Sequence, residues 1–134
     1  MIIIKVKINF FNNDLIKAIG SGVYEIVISK DGDSKVLYVG ESVFVLVRCA
    51  SHLYELKKSP EYFGFTNKTI CDESITLEFR LIGNEKSKKN RKIKELDYIK
   101  KNSPLIQSGI SDRMKKIEDK IESLTDFLND KVGN

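Results

Sequence analysis

Only two of the 134 residues are cysteines, Cys49 and Cys71. They lie far apart, and with the chain's one histidine they are too few for a Cys/His zinc module. Reduced thiols in a cytoplasmic protein, rather than a disulfide framework, are the expectation. Long apolar runs are also lacking. Lys5 and Lys7 interrupt the apolar start Met1 to Phe11, and no small-residue cleavage site follows, so neither a signal peptide nor a membrane span is expected. The chain holds no internal repeat, no low-complexity linker and no helix-turn-helix or zinc-finger signature that would set a target sequence.

What is present is the composition of one globular domain over 1–134: 41% hydrophobic and 31% charged residues, in a chain long enough to bury a core. The net charge is +4 and the pI about 9.0, which permits a polyanionic partner. Much of the excess is local. Lys86, Lys88, Lys89, Arg91, Lys92 and Lys94 crowd together, either as a solvated helix face or as a nucleic-acid contact.

Alternation over Ile2, Ile4, Val6, Ile8 and Phe10 predicts a strand. Asn12, Asn13 or Asp14 can cap a short helix to Ile19, which Gly20-Ser21-Gly22 ends. Val23 to Ser29 and Val36 to Gly40 read as a hairpin turning at Asp31-Gly32. Tyr24, Ile26 and Ile28 share one face of the first strand, and Tyr38 with Val36 one face of the second. Pairing can bring Tyr24 and Tyr38 onto a common face. Ser42 is read as the N-cap of a helix to about Lys58, although Val43 to Val47 fits a buried strand equally. Leu46, Cys49 or Ala50, Leu53 and Leu56 form its apolar stripe, while Arg48, His52 and Glu55 share another face.

Ser59 to Asp72 reads as a surface excursion, and Ile75 to Leu81 as a strand. A basic helix follows from about Glu85 to Asn102, turning Ile93, Leu96 and Ile99 or Lys100 inward until Ser103-Pro104 stops it. The last helix, 111–130, carries Met114, Ile117, Ile121, Leu124 and Leu128 as a seam that packs on the domain itself or on a second copy, which would make a homodimer.

In order along the chain stand Gly22-Val23-Tyr24, Leu37-Tyr38-Val39-Gly40, Arg48 with His52 four residues on, Glu95 and Pro104. This ordered set, over 22–107, resembles the GIY-YIG nuclease superfamily. The resemblance implies an α/β (α+β) fold with a small central antiparallel sheet flanked by helices, here with an extra N-terminal strand and a C-terminal helix. It implies a divalent-metal-dependent DNA endonuclease. Tyr24 would take the proton of the attacking water, and Tyr38 would orient the water or phosphate. Arg48 would bind the scissile phosphate, His52 would assist, and Glu95 would hold Mg²⁺ or Mn²⁺. Lys86, Lys88, Lys89, Arg91 and Lys92 are the expected DNA contacts. Gln107 stands where the family often has Asn, and Glu41 where a basic or neutral residue is common. The competing expectations are a non-catalytic nucleic-acid-binding module of the same fold and an interaction domain acting through the last helix.

Overall fold

The structure is a computed structural model that describes residues 3–109 and 113–132. Over these residues it is a mixed α+β domain with one four-stranded sheet and three α-helices. The strands are β1 (Lys7–Phe10), β2 (Gly22–Lys30), β3 (Asp33–Ser42) and β4 (Ile75–Asn84), and the helices α1 (Val45–Lys58), α2 (Lys88–Asn102) and α3 (Ile117–Val132). The sheet order is β1-β4-β2-β3, with β2 antiparallel to both neighbours and β1 parallel to β4. The first strand is thus shorter than its alternating pattern and joins as a parallel edge. Asn12 to Ile19 is mostly turn. Only Lys17–Ile19 forms a 3-10 helix, and no side chain caps it.

Asp31 (φ 53°) and Gly32 (φ 85°) make a two-residue turn between β2 and β3. Positive φ at both positions matches the right-handed twist of paired strands. The register places Tyr24 opposite Gly40 and Ile26 opposite Tyr38, so the two tyrosines share a face diagonally. A bulge between Ile26 and Val27 leaves Leu37 as the extra residue of β3. It corrects one expectation: Val36 turns away from Tyr38 and packs with Val23, Val39 and Ile99, while Leu37 joins the tyrosine side.

Both sheet faces are covered. On one, Tyr24, Ile26, Ile28, Leu77 and Phe79 meet α1, Phe63, Phe65, Ile70 and the α3 leucines. On the other, Val23 and Val39 meet α2 through Ile99. The stretch Ser59 to Asp72 is therefore no surface excursion. It contains two 3-10 helices, Pro60–Phe63 and Thr69–Cys71, and buries Pro60, Phe63, Phe65 and Ile70. Leu124 and Leu128 of α3 are likewise buried in the main core, and Phe127 packs against it, while Ile117 is exposed. The seam packs on its own domain.

Helix starts differ from the sequence reading for a local reason. β3 continues through Ser42, whose hydroxyl accepts from the Phe44 amide, so α1 begins only at Val45. Its buried positions are Val45, Cys49, His52 and Leu56, with Leu46 and Leu53 half-buried. α2 is capped by Ser87, whose Oγ accepts from Asn90 N. Its inward face is Arg91, Glu95 and Ile99, and Ile93 points outward.

The outer edge of β3 is closed by the segment after Pro104. Leu105 N and Ile106 N donate to the carbonyls of Val36 and Leu37. Gln107, buried, continues the ladder with its side chain: Oε1 accepts from Val39 N at 2.8 Å and Nε2 donates to Val39 O at 2.7 Å. The amide thus acts as a strand partner one residue past Tyr38. Gln107→Ala strips two backbone groups of partners, each costing about 1–3 kcal/mol if left buried. We expect a loss of at least about 2 kcal/mol, seen as a lower urea midpoint at unchanged m-value.

Candidate active site

β2, β3 and α1 bring Tyr24, Tyr38, Arg48 and His52 together. α1 crosses the sheet so that Cys49, His52 and Leu56 face inward, which sets the His52 ring 5.1 Å from the Tyr38 ring and 5.9 Å from that of Tyr24. The Tyr24 hydroxyl and His52 Nε2 are 2.8 Å apart. Arg48 lies one turn before His52, close enough to Tyr24, Tyr38 and Tyr62 for their oxygens to act on its charge. Gly40 makes this packing feasible. A Cβ there would stand 2.3 Å from the Tyr24 hydroxyl oxygen, so the absence of a side chain gives the ring its place.

Tyr24, Tyr38 and His52 are buried, and Arg48 is the member exposed to solvent. Burial pushes the Tyr24 hydroxyl well above the ordinary phenol range, aided by Cys49 and Tyr38 and opposed by Arg48. Burial also pushes the Cys49 thiol up, and both cysteines are free. Arg48 behaves oppositely. Burial works against its charge, but the three tyrosines around it, Tyr24, Tyr38 and Tyr62, outweigh that and raise its pKa. The site thus holds a permanent cation beside phenols that stay protonated.

A residue absent from the sequence reading completes the cluster. The Tyr62 hydroxyl lies 2.8 Å from His52 Nδ1, on the far side of the ring from Tyr24. The aromatic density of Tyr62, Phe63 and Phe65 beside Pro60 was the available signal that this segment folds inward.

Glu95 belongs to a different cluster, on the α2 side of the sheet. Arg91 Nε donates to Glu41 Oε2 at 2.8 Å, and Lys92 Nζ lies 3.2 Å from Glu41 Oε1 and 3.8 Å from Glu95 Oε1. Arg91 also donates to the carbonyls of Glu85 and Lys86. Arg91, one of the expected DNA contacts, is thus buried in an ion pair, and Glu41 is held by two cations. Lys86, Lys88, Lys89 and Lys94 are exposed, and Lys92 is half-buried.

The carboxylates of Glu95 and Glu41 are the hard oxygen donors that magnesium takes. As arranged, however, they do not fit a bound divalent ion. Glu95 has no exposed surface, and the ammonium of Lys92 occupies the space between the two carboxylates. Among the described residues no group of three or more His, Cys, Asp or Glu side chains is placed to hold a metal. Among the same residues no helix is long and apolar enough to cross a membrane.

Comparison of the chain with protein-family models, with curated proteins and with solved structures finds no match to any of them.

Proposed function

We propose that the protein is a phosphodiester hydrolase acting on DNA, with Tyr24, Tyr38, Arg48 and His52 as its working groups. The observation that carries this reading is the 2.8 Å contact between Tyr24 and His52 beside the Arg48 guanidinium. The resemblance to GIY-YIG nucleases, motif for motif from Gly22 to Pro104, adds to it.

In this reading Arg48 receives the phosphate, its planar fork matching two oxygens. Water attacks phosphorus as its proton passes to the Tyr24 oxygen, and the Tyr24 proton passes to His52 Nε2. The bond from phosphorus to the leaving oxygen breaks, and that oxygen takes a proton from solvent. A shuttle suits Tyr24 better than a standing phenolate, because its hydroxyl stays protonated near neutral pH. Tyr38, whose oxygen acts on the Arg48 charge, helps to set the guanidinium. The exposed Lys86, Lys88, Lys89 and Lys94 supply sequence-independent affinity that falls with salt. A divalent cation would supply charge neutralisation on the phosphate. Glu95, the ligand that the resemblance implies, is fully buried beside Lys92 and as arranged does not hold one, so no step above depends on a metal.

One observation favours a second reading, a non-catalytic DNA-binding module. Tyr24, Tyr38 and His52 are each no more than 1% exposed, as a purely structural cluster would be. Incubating supercoiled plasmid with the protein in Mg²⁺, in Mn²⁺ and in EDTA separates the two. Nicked or linear product is expected from the hydrolase, and salt-sensitive binding with no cleavage in any condition would favour the module. In the same assay Arg48→Lys should cleave at least about tenfold more slowly, because lysine keeps the charge and loses the fork. A wild-type rate for Arg48→Lys would show that charge alone is needed.

A further inference from the structure

His52 has a ring contact on each side, and the two are not equivalent. Nε2 faces Tyr24 at 2.8 Å and Nδ1 faces Tyr62 at 2.8 Å. A neutral imidazole donates from one nitrogen and accepts at the other, so Tyr62 and Tyr24 must play opposite parts. Tyr24 is fully buried, and its hydroxyl proton needs an acceptor, which a bare Nε2 supplies. Tyr62 is half-buried, so its hydroxyl proton can be given to solvent. A hydroxyl proton turned toward solvent leaves the Tyr62 oxygen lone pairs facing Nδ1.

Tyr62 is itself firmly seated. It lies in the 3-10 helix between buried Pro60 and Phe63. Lys120 of α3 donates to its carbonyl at 2.9 Å, and the same ammonium stands 5.1 Å from the ring centroid. Gly64 permits this approach of α3. Its φ is 93°, and a Cβ there would come within 2.6 Å of the Lys120 carbonyl oxygen. The last helix thereby helps to fix a ring two contacts away from Tyr24.

We propose that Tyr62 is a positioning residue: it accepts the Nδ1 proton of His52 and so keeps Nε2 bare to take the proton of Tyr24. The role of that transfer in catalysis rests on the hydrolase reading, whereas the tautomer can be measured without it. The chain has one histidine, so ¹⁵N-histidine labelling gives two ring signals with no assignment problem. The wild type should show a protonated, pyrrole-type Nδ1 and a bare, pyridine-type Nε2. Tyr62→Phe keeps the ring under Lys120 and should mix or reverse the two signals. In plasmid nicking, the same variant should lose about 10–100-fold in kcat with KM unchanged, the scale on which groups that orient a functional histidine act. A wild-type ring protonated at Nε2, or signals unmoved in Tyr62→Phe, would overturn the proposal whatever the enzyme does. Absence of cleavage by the wild type would instead remove the hydrolase reading, and the ring signals would still decide what Tyr62 does.

Discussion

Tyr24→Phe is expected to fold and to cleave about 10²–10⁴-fold more slowly than the parent, the usual cost of removing a group that moves a proton in the transition state. The ring, its seat over Gly40 and its neighbours Tyr38 and His52 all remain, so the lost function is confined to one oxygen. That oxygen also partners buried His52 Nε2. Some stability should therefore go with it, about 1–3 kcal/mol for a buried group left unpaired. Thermal unfolding followed by circular dichroism separates that loss from the catalytic one. The pH dependence has a defined sign. A free tyrosine would ionise near pH ~10 and lift the rate as that pH is approached. Burial raises the Tyr24 value further, so the rise moves to still higher pH and the neutral range should be flat on that account. Undiminished cleavage by the variant would remove Tyr24 from the chemistry.

The second large effect should come from a residue with no side chain. Gly40→Ala puts a methyl 2.3 Å from the Tyr24 oxygen and 2.4 Å from the ring carbon that bears it. Neither can give way cheaply, because Tyr24 is packed against Tyr38 and His52 in a core without exposed surface. The ring must shift and break its 2.8 Å contact with His52. Overpacking of this kind typically costs about 1–3 kcal/mol, and displacement of Tyr24 should reduce cleavage at least as far as Tyr24→Phe does. A Gly40→Ala protein with parental stability and rate would mean that the Tyr24 ring does not lie over Gly40.

Tyr24 and Gly40, both singled out in the sequence, sit opposite each other in the strand register, so the two carry a single packing requirement. The Asp31-Gly32 turn and the period-two faces of β2 and β4 were readable for equally local reasons. Arg48 and His52, one helical turn apart, needed only that α1 be a helix. Other features depended on tertiary context. The basic run reads as a solvated face because charge is rarely buried, yet Arg91 and Glu95 turn inward against Glu41 and Lys92, and Ile93 is left outside. The bulge at Leu37 reversed Val36, and no residue type in that strand announces it. Ser59 to Asp72 reads as surface because Pro60, Gly64 and Asn67 break periodicity, although its aromatics fill the core and supply Tyr62.

That Tyr24 and His52 act as one unit on a phosphodiester is tested most directly by a double-mutant cycle in single-turnover plasmid cleavage, with the wild type, Tyr24→Phe, His52→Gln and the double variant assayed together. If the proton passes from one to the other, either substitution alone interrupts the transfer, and the double variant should be no slower than the worse single one. Losses that multiply, or a wild type that leaves the plasmid intact in every metal condition, would contradict it.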